Sequence, residues 1–449
     1  MDFLSLAKSK YGEALELITK LVSFETVLDE FKPESDAPFG IENKKALEYI
    51  LEYASKDGFT VKNVDNYAGH IEYGSDNDET IGILAHLDVV PVKGQNWTSN
   101  PFKVYVKDDK IYGRGTTDDK GPLVAAYLAI KLLKEQGVKL NKNVRLICGC
   151  DEETGSRCLK HYFLQEKMPE LGFSPDAEFP VIYGEKAMAS LDVILKNDDN
   201  IILDIEAGDR YNIVPALAKM KLSINLDNEF NEFISKNNYN GYIKDGYYYI
   251  EGRSSHAMVP QNGLNAIFLL MDFLNEYHKT NVSEYFEKFL NYDYFGNKLG
   301  VNVKHEDMGD LTENVAVIKM HDKDIKIGIN YRIPVNNYSG TIVSKITESS
   351  DIVARVDLLS SSTMHFVDKN TTLVKTLMSA YREISGDTTN EPFTIGGGTY
   401  SKFIDNCVAF GPVFPGREDV CHIADEYINV DDLINSIAIY AKAIYDLGK

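Results

Sequence analysis

The sequence predicts an α/β protein: a domain with a central mixed sheet covered by helices, interrupted by an inserted α+β domain. Three observations predict it. Short, almost wholly apolar runs such as IGILAHLDVV alternate with helix-like stretches, the pattern of strands buried on both faces. From about Ala187 the texture changes to alternating strands (VILKNDD, KMKLSINLDN, IKIGINYRIPV), and from about Asn370 the first texture returns. At 449 residues the chain is also too long for one ordinary core. The expected division is 1–186 and 370–449 for the first domain and 187–369 for the insertion.

The elements follow in order. Ala14, Leu15, Leu17, Ile18 and Leu21 recur at helical spacing after Gly12. A second helix is expected from about Asn43 to Ser55, with Gly58 as its stop. Ile81 to Val90 reads as a buried strand, and a strand pair is expected around Val104 and Ile111. GPLVAAYLAIKLLKEQG is a helix, with Pro122 in its first turn and Gly137 past its end. Val144 to Cys150 is again a buried strand. In the insertion, Asp245-Gly246 marks a hairpin turn between β-rich flanks. A helix at Thr371–Ile384, a strand at Cys407–Phe410 and a helix at Asp431–Tyr445 complete the chain.

Composition narrows the function classes. A net charge of −21 would repel phosphate backbones and anionic lipid, so neither nucleic acid nor membrane is an expected partner. No apolar run approaches the roughly 20 residues that span a bilayer. The start, MDFLSLAKSKYGEAL, lacks the features of a secretory signal, so the expected location is cytoplasmic. Five cysteines without regular spacing do not make a disulfide framework.

Several motifs could carry chemistry. In HLD, His86 and Asp88 sit at i and i+2 on a strand end, so imidazole and carboxylate can touch. That suits a metal-ligating histidine oriented by an acid, and equally a solvated strand end. In GRGTTDDKGP, Asp118 and Asp119 precede a helix. Adjacent carboxylates repel unless a cation lies between them, although helix capping would also accept one of them. In DEETG, Glu152 and Glu153 follow a buried strand and can divide metal ligation from proton transfer. The rival there is a thiolate site from Cys148 and Cys150, but a structural zinc site needs four closed ligands and only Cys158 lies near in sequence. Asp176, His256 and His422 stand at further boundaries between elements. TIGGGTY lacks the GK[ST] ending of a phosphate loop, and Gly398 and Thr399 within it read as a flexible turn that lets backbone approach a substrate.

HLDVVP, GRGTTDDKGP, DEETG, SPDAEFP, SSHAMVPQNGLNA, GGGTY and HIADE occur in the order shown by the co-catalytic metallopeptidases. Within that superfamily the chain most resembles the PepV-type (Xaa-His) dipeptidases, with NWTSNPFKVYVKDDKIYGRGTTDDKGP and VAFGPVFPG as the most telling stretches. The resemblance implies two divalent ions bridged by Asp118, zinc first, manganese or cobalt as alternatives. His86 and Asp176 would complete one site, Glu153 and His422 the other. Asp88 would orient His86, and Asp119 would follow a cis peptide. Glu152 would be the general base for a water bridging the metals. The inserted domain would act as a lid on the catalytic domain; in it His256 would polarise the scissile carbonyl, while Asn212 and Arg332 would grip the C-terminal carboxylate of a small peptide. An ordinary strand-surface ion pair is the rival reading of Arg332. The implied function is hydrolysis of dipeptides by a monomer. The alternatives are an N-acyl amino acid deacylase on the same site and a noncatalytic binding protein, which would be expected to lack a ligand or the base. Two positions depart from the pattern: Ala85 stands where glycine is common, and SRCLKHYF lacks an acidic residue often found there.

Overall fold

The computed structural model describes residues 1–74 and 79–449. The chain divides into two compact units, one of 1–184, 366–393 and 399–449, the other of 185–365 and 394–398. Each has its own hydrophobic core. The short segment 394–398 joins the second unit through bonds that include Lys186 N to Ile395 O (3.0 Å), Arg332 Nη1 to Gly396 O (2.8 Å) and Thr394 Oγ1 to Asp307 O (3.2 Å).

In the first unit the central sheet runs through Thr60–Val64, Ala68–Tyr73, Asn143–Gly149, Thr80–His86, Leu171–Ser174, Cys407–Ala409 and Ile182–Glu185. Its middle pairings are parallel and its flanking ones antiparallel, so the sheet is mixed. Every residue of Thr80–His86 is buried, as an apolar run without alternation requires of a strand covered on both sides. The strand stops at His86 and not at Val90. Leu87 N still donates to Gly149 O (2.9 Å), but Val89 N turns away to Thr26 O (3.1 Å) and the chain leaves the sheet.

Helices Lys120–Glu135, Thr372–Ser385 and Val430–Leu447 pack together beside this sheet. Leu433, Ile437, Tyr440, Ala441 and Ile444 recur on the buried face of the last helix. Each large apolar side chain so buried stabilises the fold by about 1.5–3 kcal/mol. Gly121 has a special role at the start of Lys120–Glu135. A Cβ there would collide with the Thr116 carbonyl, so only glycine lets the preceding loop fold back over the first turn.

The second unit is an antiparallel sheet in the order Gly241–Lys244, Tyr247–Glu251, Leu217–Leu222, Ile202–Ala207, Thr312–His321, Asp324–Ile333, Ala187–Leu195 and Val353–Ser361. Asp245 (φ 54°) and Gly246 (φ 76°) make the expected hairpin turn. Helices Asp227–Asn237, Ala266–Tyr277, Asn281–Phe289 and Ser339–Ser349 contribute buried apolar residues to the same core. The architecture is therefore an α/β domain with an inserted α+β domain. Among the described residues no helix is long and apolar enough to cross a membrane.

Candidate metal centre

Three parallel neighbours, Thr80–His86, Asn143–Gly149 and Leu171–Ser174, end at the same edge of the first sheet. Their exits carry His86 and Asp88, then the acids 151–153, then Asp176. Side chains remote in sequence meet here because parallel strands deliver their C-terminal ends to one place.

Asp118 lies at the centre. Its Oδ1 is 3.0 Å from His86 Nε2, and its Oδ2 is 2.8 Å from His422 Nε2. His86 Nε2 is 3.6 Å from Asp176 Oδ2, and His422 Nε2 is 3.1 Å from Glu153 Oε1. Two groups result, His86–Asp118–Asp176 and Asp118–Glu153–His422, each with its ligand atoms within 4.8 Å of one another. Ligands about 2.0–2.1 Å from a tetrahedral ion stand about 3.3 Å apart, so the observed spacings fit a divalent cation in each group. One imidazole and two carboxylates per group suit zinc, manganese or cobalt.

The surroundings separate the acids by task. Asp151 is buried and committed to a turn: its carboxylate accepts from Arg157 N (2.8 Å), Nε (2.7 Å) and Nη2 (2.6 Å). Asp88 lies against His86 through its main chain, whose carbonyl is 2.9 Å from Nδ1, whereas its carboxylate stands 3.4 Å away. That carboxylate instead accepts from Glu152 N (3.0 Å) and Glu153 N (3.1 Å), fixing the DEETG turn. Asp119 follows a cis peptide and accepts from His86 N (3.0 Å). It makes no side-chain cap to the helix it precedes. The cysteines take no part among the described residues: Cys148, Cys150 and Cys158 are buried, burial pushes their thiols up, and neither candidate metal group includes a sulfur.

Without bound cations the carboxylates and imidazoles hold protons among themselves. Burial pushes Glu153 up to about 7 and Asp176 up to about 6, with the Asp118 charge adding to both. Burial also pushes Glu152 well above the carboxylate range, with Asp176 adding to it. His422 moves the other way from what burial alone would do, raised to about 11 by hydrogen bonds to Asp118 and Glu153. His86 is likewise raised, because Asp176 and Asp118 outweigh its burial. Ligands must be deprotonated to hold a cation. The raised values of Glu153, His86 and His422 mean that these ligands carry protons near neutral pH, which must leave. Binding of divalent ions to chelator-stripped protein is therefore expected to release protons, and affinity to climb as pH rises from about 6. Calorimetry in buffers of different ionisation enthalpy measures the release; ion binding without it would contradict this electrostatic picture.

In the second unit, Asn212 and His256 are neighbours. Ala257 N donates to Asn212 O (2.9 Å), and Ile213 bridges to His256. His256 Nδ1 accepts from Met258 N (3.2 Å), which makes Nε2 the N–H-bearing nitrogen, a donor. Thr312, cross-strand from Arg332, donates to Ala257 O (3.2 Å), so Arg332 belongs to the same end of the sheet. Arg332 is 4% exposed, and its partners are neutral: Asn330 Oδ1 (2.9 Å), Gly396 O (2.8 Å) and Met188 Sδ (2.6 Å). Among the described residues no carboxylate pairs with it, which removes the ion-pair reading. Burial lowers it to about 10. Gly398 closes the segment that joins this unit. Thr399 lies in the first unit, where its hydroxyl accepts from Ser401 N (3.1 Å).

Sequence reasoning does not single out Glu426. Its buried carboxylate accepts from Gly115, Thr117 and Asp118 backbone N–H groups. The only sequence signal is an acid four residues after His422.

The chain is similar to several known proteins. A Staphylococcus epidermidis protein provisionally named a dipeptidase is 40% identical over 460 residues, covering 97% of each chain. Human carnosine dipeptidase 1 shares the fold with a TM-score of 0.63 at 16% identity, covering 99% of this chain and 98% of that one. The dipeptidase Dug1p of Saccharomyces cerevisiae does so with a TM-score of 0.59 at 14% identity, over 99% and 98%. Residues 82–446 match Peptidase family M20/M25/M40, and the chain belongs to that family of peptide-bond hydrolases.

Proposed function

We propose that this chain is a two-metal dipeptidase acting on dipeptides with a free C-terminal carboxylate. The observation that carries the reading is Asp118, whose two oxygens each face a different histidine and so can serve two ions at once. The dipeptidase names of relatives such as the Staphylococcus protein support the substrate class.

Bound divalent ions would supply Lewis acidity to the peptide carbonyl and make an attacking water acidic near neutral pH. His86, Asp118 and Asp176 would hold one ion; Asp118, Glu153 and His422 would hold the other. Glu152, within electrostatic reach of Asp176, His86 and Glu153, takes the water's proton and passes it to the leaving amine. Asp88 keeps Glu152 and Glu153 in place through their N–H groups. His256 offers its Nε2–H to the oxygen that gains charge. Arg332 binds the substrate carboxylate with its planar fork, Asn212 assists, and the backbone at Gly398 and Thr399 lies along the peptide. A buried guanidinium with only neutral partners is costly, and an arriving carboxylate would offset that cost.

Arg332→Met is expected to lower kcat/KM for dipeptides by about 10- to 100-fold, mostly through KM, since hydrogen bonds to a charged group contribute about 1.5–3 kcal/mol. Steady-state kinetics on one dipeptide checks it, and an unchanged KM would remove Arg332 from substrate binding.

The defining experiment is a panel of unblocked dipeptides beside N-acetyl and N-succinyl amino acids, using stripped enzyme resupplied with zinc, manganese or cobalt singly. Cleavage of the blocked substrates alone would replace this reading with a deacylase. Five free thiols fit a reducing cytoplasm, and we take the working form to be a monomer, which light scattering tests.

A further inference from the structure

We propose that Gln95, Arg114 and Glu426 form a positioning network that presets Asp118 and His422, and so sets the affinity of the Asp118–Glu153–His422 group for its ion. The proposal rests on the two-ion reading above.

The two candidate groups are supported in different ways. His86 ends a central strand and Asp176 follows one, so the sheet itself holds them. His422 lies in a loop outside regular structure, with φ 64° in the left-handed region that a histidine rarely adopts. Asp118 also precedes its helix on a loop. Ligands on loops need a bracket, and the structure contains one.

Glu426 is its anchor. The side chain is wholly buried, and its carboxylate accepts from Gly115 N (3.0 and 3.1 Å to its two oxygens), Thr117 N (2.9 Å) and Asp118 N (3.1 Å). Arg114 Nη1 donates to it at 2.7 Å. Three converging backbone donors and a guanidinium demand an acceptor-only group, which an amide is not. The cradle includes the main chain of Asp118 itself. Arg114 then reaches the histidine loop: its Nη2 donates to Gln95 Oε1 (2.7 Å), and Gln95 Nε2 donates to His422 O (2.7 Å). Trp97 completes the bracket, donating from Nε1 to the same Gln95 oxygen (3.0 Å) and lying 5.1 Å from the Arg114 guanidinium. One continuous chain of hydrogen bonds therefore links the main chains of two ligands more than 300 positions apart.

These residues touch no reacting atom; they act through the ligands they hold. Loss of such outer partners typically costs about 10- to 100-fold in metal affinity. The test is calorimetric titration of chelator-stripped protein with Co2+. Native protein should bind two ions. In Gln95→Leu, one ion should bind as in native protein and the other about 10- to 100-fold more weakly; in Glu426→Gln, which also releases the main chain of the shared Asp118, that same ion should weaken at least as much, with turnover regained at excess Co2+ in both. Arg145→Gln is the control, because it removes a comparable ion pair to Glu72 (2.6 Å) away from the ligands and should leave both affinities unchanged. If native protein binds fewer than two ions, the two-ion reading fails and the network proposal with it. If native protein binds two and both variants match it, the network alone is overturned. Equal weakening in the control would overturn it as well, by showing general destabilisation. Should Glu426→Gln not fold, half-buried Gln95 decides the matter by itself.

Discussion

Glu152→Ala is expected to retain its metal content and lose turnover by about 10²–10⁴-fold, the usual contribution of a positioned general base. The two consequences separate because Glu152 belongs to neither candidate ion group, whereas its neighbour Glu153 belongs to one. The backbone of both residues is held by Asp88, so truncating the Glu152 side chain leaves the turn intact. Burial and the charge of Asp176 raise Glu152, so positive charge bound by the neighbouring groups would be what frees its carboxylate to take a proton. Metal analysis beside kcat decides the point. A variant that keeps both its ions and its turnover would take Glu152 out of the chemistry.

Asp118→Ala should be more damaging still, because one substitution removes a ligand from both groups. The change would also leave His86 and His422 without the carboxylate that lies closest to each. Bound metal is expected to fall from two ions to less than one per chain. The Lewis acidity lost is worth several kcal/mol, and each 1.36 kcal/mol is tenfold in rate, so kcat/KM should drop by at least about 10³-fold. Elemental analysis of the dialysed variant checks the first number and kinetics the second. Full retention of two ions would show that Asp118 does not bridge them.

Much of the fold was legible from local pattern. A continuous apolar run such as Ile81 to Ala85 can be satisfied only between two covering layers, and the hairpin at Asp245-Gly246 follows from which residues tolerate positive φ. Helix ends were legible for the same reason, through Gly137 and Pro122. The end of the strand at His86 was not, because Leu87 to Val90 is as apolar as what precedes it. What stops the strand there is a partner at Thr26, sixty-three positions away from Val89.

The site divides similarly. Acid-rich motifs at strand ends marked Glu152, Glu153 and Asp118 as candidates, since carboxylates crowded in sequence need a reason to be there. The role of Asp151 in DEETG came from contacts alone: Arg157 claims its carboxylate and leaves the two glutamates that the motif had already marked. Likewise only the assembled chain shows that Asp88 faces His86 with its carbonyl and holds DEETG with its carboxylate.

The sequence by itself determined the kinds of residue available, their local conformations and the alternation that makes two domains. Those properties depend on neighbours within a few positions, where chain connectivity sets distance. Tertiary structure decided which of these residues meet. The contact of Asp118 with His422 and the burial of Glu426 against Arg114 arise where parallel strands and distant loops converge, and no local pattern encodes a separation of about 300 residues.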